Sequence, residues 1–183
     1  MLAARIETCG GSFPGVAVTD VAHFVRPAES DDWPKLRAIR LEALTNAPEA
    51  FGSTYAVAAR LSNYQWRSMI ERSLYFLAER DGNVVGMVSG GLNDRHPGTH
   101  WLYGMYVTPS ARGSQTASLL VDAVATWARR DGASELYLHV TSIAERARAF
   151  YARMGFVATG VNFGMDRDPR LIMMTMKKSL VGE

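Results

Sequence analysis

The chain is short of several things, and each shortage removes a class of function. It has one cysteine, Cys9, so no intramolecular disulfide can form, and that thiol sits in a glycine-rich stretch with no base beside it to mark a nucleophile. No apolar run approaches the ~20 residues that span a bilayer. The first twenty residues carry Arg5, Glu7 and Gly10-Gly11 where a secretory signal would need an unbroken apolar core. The expectation is a soluble cytoplasmic protein with no membrane partner. Histidine is scarce too: His23, His96, His100 and His139 are the whole set. Pro97-Gly98 interrupts any helix that would bring His96 and His100 to one face, so no metal site is expected. His139 falls in a strand and reads as half-buried and structural. A formal net charge of +2 supplies no basic stripe for a run of phosphates, and nucleic acid is not an expected partner. The nucleotide-triphosphate string G-x-x-x-x-G-K-[ST] is missing, as is the dinucleotide string G-x-G-x-x-G.

With 183 residues, 48% hydrophobic and 21% charged, the chain suits one globular domain able to bury about two-thirds of its unfolded surface. Residues 1–19, rich in glycine and without sustained period, read as a flexible leader, and 20–183 as a single domain. A strand from Val21 to Arg26 leads to a helix starting near Asp31 or Asp32, with Leu36, Ile39, Ala43 and Leu44 on one face and an end near Pro48. A second helix is predicted over Ser62 to Arg72. Leu74–Glu79 and Val84–Gly90 alternate as a hairpin around Asp81-Gly82. Asn93 to Gly98 forms a turn before a strand from Trp101 to Val107.

The next helix has the clearest period, with Ala117, Leu120, Val121, Val124, Trp127 and Ala128 on one face and Gly132 as its stop. Leu136, Leu138 and Val140 then alternate as a strand, a helix carries Phe150-Tyr151, and strands over Val157–Phe163 and Leu171–Met176 flank a turn at Asp166 to Pro169. This order predicts an α/β (α+β) fold. Its sheet is mixed and mainly antiparallel, with six to seven strands and about four helices, because the strand-helix-strand from Trp101 to Val140 requires a parallel crossover.

The junction from Leu102 to Leu120 carries the most chemistry. A strand breaks at Pro109, turns through Arg112-Gly113 and opens directly into the amphipathic helix. Unpaired N–H groups and the partial positive charge of a helix start make such a junction suited to a phosphate or pyrophosphate.

Arg112-Gly113-Ser114-Gln115-Thr116-Ala117 resembles the [Gln/Arg]-x-x-Gly-x-[Gly/Ala] loop of the GNAT superfamily of acyl-CoA-dependent N-acyltransferases at its Arg and its final Ala, with Gln115 in place of the middle glycine. Ala147 to Phe156 looks like the A-x-x-[Phe/Leu/Tyr]-Tyr-x-x-x-Gly-Phe helix of the same family, in the right order and spacing relative to the loop. The resemblance covers Val21 to Lys178. It implies a parallel strand pair that splays to admit the pantetheine arm, and acetyl-CoA as cosubstrate with no metal. The cofactor would lie on Arg112, Gly113, Ser114, Gln115, Thr116 and Ala117 and along the backbone of Met105, Tyr106 and Val107. Tyr151 would act as the acid that protonates the departing thiolate, and the Met105 N–H would polarise the thioester. An amine acceptor, small or on a peptide or protein, would lie near Phe51, Tyr55 and Phe163, and a homodimer is compatible with the fold.

Two departures from the pattern stand out. Ala144 occupies a position where many relatives carry Asn, and the strand from Trp101 to Val107 has no acidic residue. Amine deprotonation would then fall to water or to a loop carboxylate such as Glu49 or Asp94. A non-catalytic acyl-CoA-binding or regulatory domain on the same fold is the alternative these departures leave open.

Overall fold

The computed structural model describes residues 24–182. The leader, Cys9, His23 and the first residues of the expected opening strand lie outside them. The elements in chain order are β1 (Phe24–Pro27), α1 (Trp33–Asn46), α2 (Tyr55–Ala59), α3 (Asn63–Arg72), β2 (Leu74–Arg80), β3 (Asn83–Asn93), β4 (His96–Val107), α4 (Thr116–Arg130), β5 (Glu135–Thr141), α5 (Glu145–Arg153), β6 (Val157–Met165) and β7 (Asp168–Ser179).

The strands form one seven-stranded sheet in the order β1-β2-β3-β4-β5-β7-β6. Every neighbouring pair is antiparallel except β4 with β5, which is parallel. This is the mixed α/β architecture expected, with one short helix more. That helix, α2, lies between the two helices predicted on either side of it. Thr54 starts it, its hydroxyl accepting the Val57 N–H at 3.3 Å. The expected turn from Asn93 to Gly98 contracts to Asp94-Arg95, because β4 begins at His96, whose Cα pairs with Asn93 and whose ring stacks on Trp101 at 5.9 Å.

The two faces of the sheet carry separate cores. On one, Leu36, Ile39, Ala43 and Leu44 of α1 and Trp66 and Ile70 of α3 close over Leu77, Met87 and Tyr106. Helix α3 is started by a reciprocal cap, in which Ser62 N–H donates to Gln65 Oε1 at 2.8 Å and Gln65 N–H to Ser62 Oγ at 3.2 Å. On the other face, Leu120, Val121 and Val124 of α4 are completely buried, each contributing about 1.5–3 kcal/mol of apolar burial. Two glycines of β3 set how closely α4 lies on the sheet. A β-carbon at Gly86 would come within 2.9 Å of Leu120 Cδ1, and one at Gly90 within 2.9 Å of the Trp127 ring. Among the described residues no helix is long and apolar enough to cross a membrane.

Candidate active site

Strands β4 and β5 touch at only three residue pairs, His100 with Leu136, Trp101 with Tyr137 and Leu102 with Leu138. Beyond Leu102 and Leu138 they part, and a cleft of about 880 Å³ opens between them. The backbone that separates there has polar groups no neighbouring strand takes up, so it can pair with an extended ligand. On its other edge, β4 bulges: Ser89 faces Tyr103 but Met87 faces Tyr106, so β4 carries one extra residue. Gly104 makes the bulge, with φ of +58°, a conformation that disfavours any side chain. The bulge shifts the alternation of the strand. Met105 packs toward α4 and α5, while Tyr106 is buried on the α1 face. There the Tyr106 hydroxyl donates to Glu42 Oε1 at 3.0 Å and accepts from the Asn46 amide at 2.9 Å. Tyr106 therefore has only its backbone to offer the cleft.

The loop expected to hold phosphate leaves β4 through a 3₁₀ turn, Pro109–Ala111. Gly113 has φ of +79° with open space where a side chain would be. Ser114 braces the start of α4, its hydroxyl donating to Ala111 O at 2.7 Å and accepting the Thr116 N–H at 3.3 Å. Arg112 folds back, its Nε donating to Val107 O at 3.3 Å and its guanidinium lying 5.9 Å from the Tyr106 ring centre. Gln115 is exposed and its side chain does not cap the helix.

Tyr151 projects from α5 into the same cleft. It is 8% exposed, and its ring packs against Phe150 at 5.4 Å and edge-on to Phe156 at 5.7 Å. Its hydroxyl donates to Met105 Sδ at 3.4 Å. Burial pushes its pKa well above that of an ordinary phenol, so the group is protonated throughout the neutral range. Helix α5 starts at Ala144 without a side-chain cap. Nearby, Thr141 Oγ1 is buried with no hydrogen-bond partner among the described residues, and Thr141 borders the cleft. An orphaned hydroxyl at that point suits a polar ligand group.

At the far end of the cleft, Phe51 and Phe163 line the wall, whereas Tyr55 is 50% exposed on α2 and does not. The β6–β7 turn is tied down by Arg167, whose Nε donates to Phe51 O at 2.8 Å and whose Nη2 donates to Pro48 O. Arg95 of the β3–β4 turn reaches Asp166 at 3.8 Å. Asp94 borders the cleft; Glu49 does not.

Sequence reasoning singled out neither Arg40 nor the site role of His139. His139 packs between Trp101, at 4.4 Å, and Phe163, at 4.8 Å. Its burial, helped by His96, lowers its pKa to about 4 and keeps the ring neutral. Arg40 lies over the Phe51 ring at 4.5 Å, and its Nη1 is the atom a β-carbon at Gly104 would meet, at 3.3 Å. No periodic signal marks either residue, since each sits where an ordinary helix surface or strand position would.

The comparisons with known proteins agree with this architecture. Residues 33–156 match the model of the acetyltransferase (GNAT) family. The chain is 36% identical over 95 residues to human N-acetyltransferase 8, covering 50% of this chain and 41% of that protein, less than half its length. Among solved structures, a putative acetyltransferase from Salmonella typhimurium, determined with its cofactor acetyl-CoA, superposes with a TM-score of 0.73 at 18% identity over 88% of this chain and 96% of its own. The ribosomal-protein-alanine N-acetyltransferase of Brucella melitensis superposes with a TM-score of 0.67 at 25% identity over 85% and 99%. A match over more than half of the sequence, on a seven-stranded sheet split between β4 and β5, makes this chain a member of the GNAT acetyltransferase family.

Proposed function

We propose that the protein moves an acetyl group from acetyl-CoA to a primary amine by direct attack. The observation that carries this reading is the meeting of Tyr151 and Met105, 3.4 Å apart, in the cleft where β4 and β5 separate. The residues present suit acetyl-CoA. Exposed loop residues at the start of a 15-residue helix suit its pyrophosphate, the unpaired β4 edge suits the pantetheine amides, and the orphaned Thr141 hydroxyl suits one of its polar groups. Arg112 to Ala117 and the backbone of Met105, Tyr106 and Val107 would hold it.

Acetyl-CoA, when bound, supplies the acetyl group as a thioester. The backbone N–H of Met105, released from the regular ladder by the bulge, is set to donate to the carbonyl oxygen as negative charge gathers there. Tyr151, which keeps its proton in the neutral range, delivers it to the sulfur as the carbon–sulfur bond breaks. Phe51 and Phe163 flank the acceptor. With no carboxylate on β4, the proton lost by the amine passes to water or to Asp94 at the rim.

A non-catalytic acyl-CoA-binding role is the second reading, favoured by the uncapped Ala144 and by Gln115 in the loop. Turnover separates the two. A thiol-release screen of acetyl-CoA against a broad amine panel, with calorimetry on acetyl-CoA and on acetyl-pantetheine, is the test. Release with at least one amine and much weaker binding of the pyrophosphate-free analogue are expected. Binding without release supports the second reading, and equal affinities refute the loop assignment.

A further inference from the structure

Arg40 is a half-buried cation with no acid beside it among the described residues. Its guanidinium borders the cleft, and burial lowers its pKa, with only Tyr75 acting in the opposite direction. Among the described residues no carboxylate forms an ion pair with it and no acceptor takes its hydrogen bonds; it lies over the face of Phe51, at 4.5 Å, with Tyr75 and Gly104 nearby. Two other partly buried arginines, Arg26 and Arg148, are engaged. Arg26 grips Asp32 and Glu79, and Arg148 donates to Ser142 O at 3.0 Å. A desolvated guanidinium costs free energy unless an anion joins it, and its planar fork suits a carboxylate.

The position narrows the ligand further. Arg40 Nη1 lies beside Gly104, the residue before Met105, and consecutive Cα atoms are about 3.8 Å apart. A carboxylate on Arg40 would lie next to the β4 bulge, and an amine one carbon away would stay within reach of it. An amine many bonds from its carboxylate would overshoot. Phe51, 5% exposed, and Phe163, 37% exposed, bring two aromatic rings to the cleft, and a side chain packed against them is apolar, while the exposed Asp94, Arg95 and Asp166 line its polar rim.

We infer that the acceptor is an α-amino acid with an apolar side chain, its carboxylate held by Arg40 and its amino group thereby placed at the β4 bulge. This rests on the acetyltransferase reading above and adds the acceptor class to it. It also assigns Arg40 as the residue that selects acids over neutral amines.

The test pairs each of a set of apolar α-amino acids with its amide and compares wild type, Arg40→Lys and Arg40→Gln. Acetyl-CoA affinity is measured first by calorimetry, and circular dichroism confirms folding. Wild type should favour acids over amides in kcat/KM by about 10- to 100-fold, the range of a charge-assisted hydrogen bond in a partly buried site. Most of that preference should lie in KM. Arg40→Gln should bring the ratio close to one while retaining acetyl-CoA affinity, and Arg40→Lys should restore part of it. Turnover with no preference for acids, or a preference that survives in Arg40→Gln, overturns the carboxylate assignment but leaves the acetyltransferase reading standing. If acetyl-CoA binds and wild type neither acetylates nor binds any amino acid of the set, the acceptor assignment is likewise overturned. A wild-type protein that fails to bind acetyl-CoA removes the acetyltransferase reading itself, and this inference with it.

Discussion

Replacing Tyr151 by Phe removes one oxygen from a site where stability and chemistry should respond in opposite senses. The hydroxyl is buried and has only the Met105 thioether as partner, at 3.4 Å. Sulfur is a weak acceptor, so the bond contributes less than about 1 kcal/mol, against roughly 1–3 kcal/mol for desolvating the hydroxyl. At pH 8 the Phe variant should match wild type in stability or exceed it by up to about 1 kcal/mol. Turnover should nonetheless fall, by about 10²- to 10⁴-fold if the phenol is the acid. The alkaline range adds an internal control. Burial raises the folded-state pKa above the unfolded value of ~10, so folding favours the protonated phenol, and stability is lost as pH rises past ~10. At pH 11 wild type should lose about 1.4 kcal/mol more than the Phe variant, a difference of roughly 3–6 °C in melting temperature for a chain of this size. Thermal melts of both proteins at pH 8 and pH 11, with thiol-release assays on the identified acceptor, read both effects. Unchanged turnover in the Phe variant refutes the acid, and a melting difference that does not change with pH refutes the buried phenol.

Three further outcomes follow from the geometry. Gly104→Ala forces a side chain into φ of +58° and toward Arg40 Nη1 at 3.3 Å; it should cost about 1–2 kcal/mol and lower acceptor kcat/KM more than acetyl-CoA affinity, read by denaturant melts and calorimetry. Gly86→Ala drives a methyl to 2.9 Å from the buried Leu120 Cδ1 and 3.1 Å from Thr116 Cγ2; about 1–3 kcal/mol should be lost and acetyl-CoA affinity should weaken as the start of α4 is displaced. Asp32, hydrogen-bonded by Arg26 and by the Glu29 N–H, has its pKa lowered to about 2. Its stabilisation is present above the unfolded value near ~4 and is lost as pH falls toward 2, so Asp32→Asn should cost about 2 kcal/mol at pH 7 and much less at pH 2, measured by urea denaturation.

What could be read from the sequence was local. Helix α4 repeats its apolar face at helical spacing and stops just before Gly132, and Phe150-Tyr151 with Gly155-Phe156 identifies α5 and its end, because these signals lie within or next to a single element. The parallel crossover followed from strand-helix-strand order. The insertion of β7 between β5 and β6 did not, since it depends on pairings between residues far apart in the chain. The bulge at Gly104 was hidden for the same reason: it exists only in the register of β4 against β3. Arg40 stands among charged neighbours on α1, and nothing in its spacing separates an arginine turned to solvent from one turned into a cleft. The side of Tyr106 was equally illegible, because the bulge upsets the alternation from which a face is assigned.

The three residue pairs joining β4 to β5 have a mechanical meaning for the whole molecule. They are the narrow seam between two half-sheets, β1 to β4 on one side and β5 to β7 on the other. The open end of that seam is bridged by Arg167, which fastens the β6–β7 tip to carbonyls more than a hundred residues earlier in the chain. The molecule thus resembles a hinged case clasped at its open end by Arg167, with the Arg95–Asp166 ion pair beside it. A ligand lying along the free edges would serve as a brace between the halves, raising the melting temperature in proportion to the logarithm of its concentration and slowing amide exchange at the ends of β4 and β5 before anywhere else.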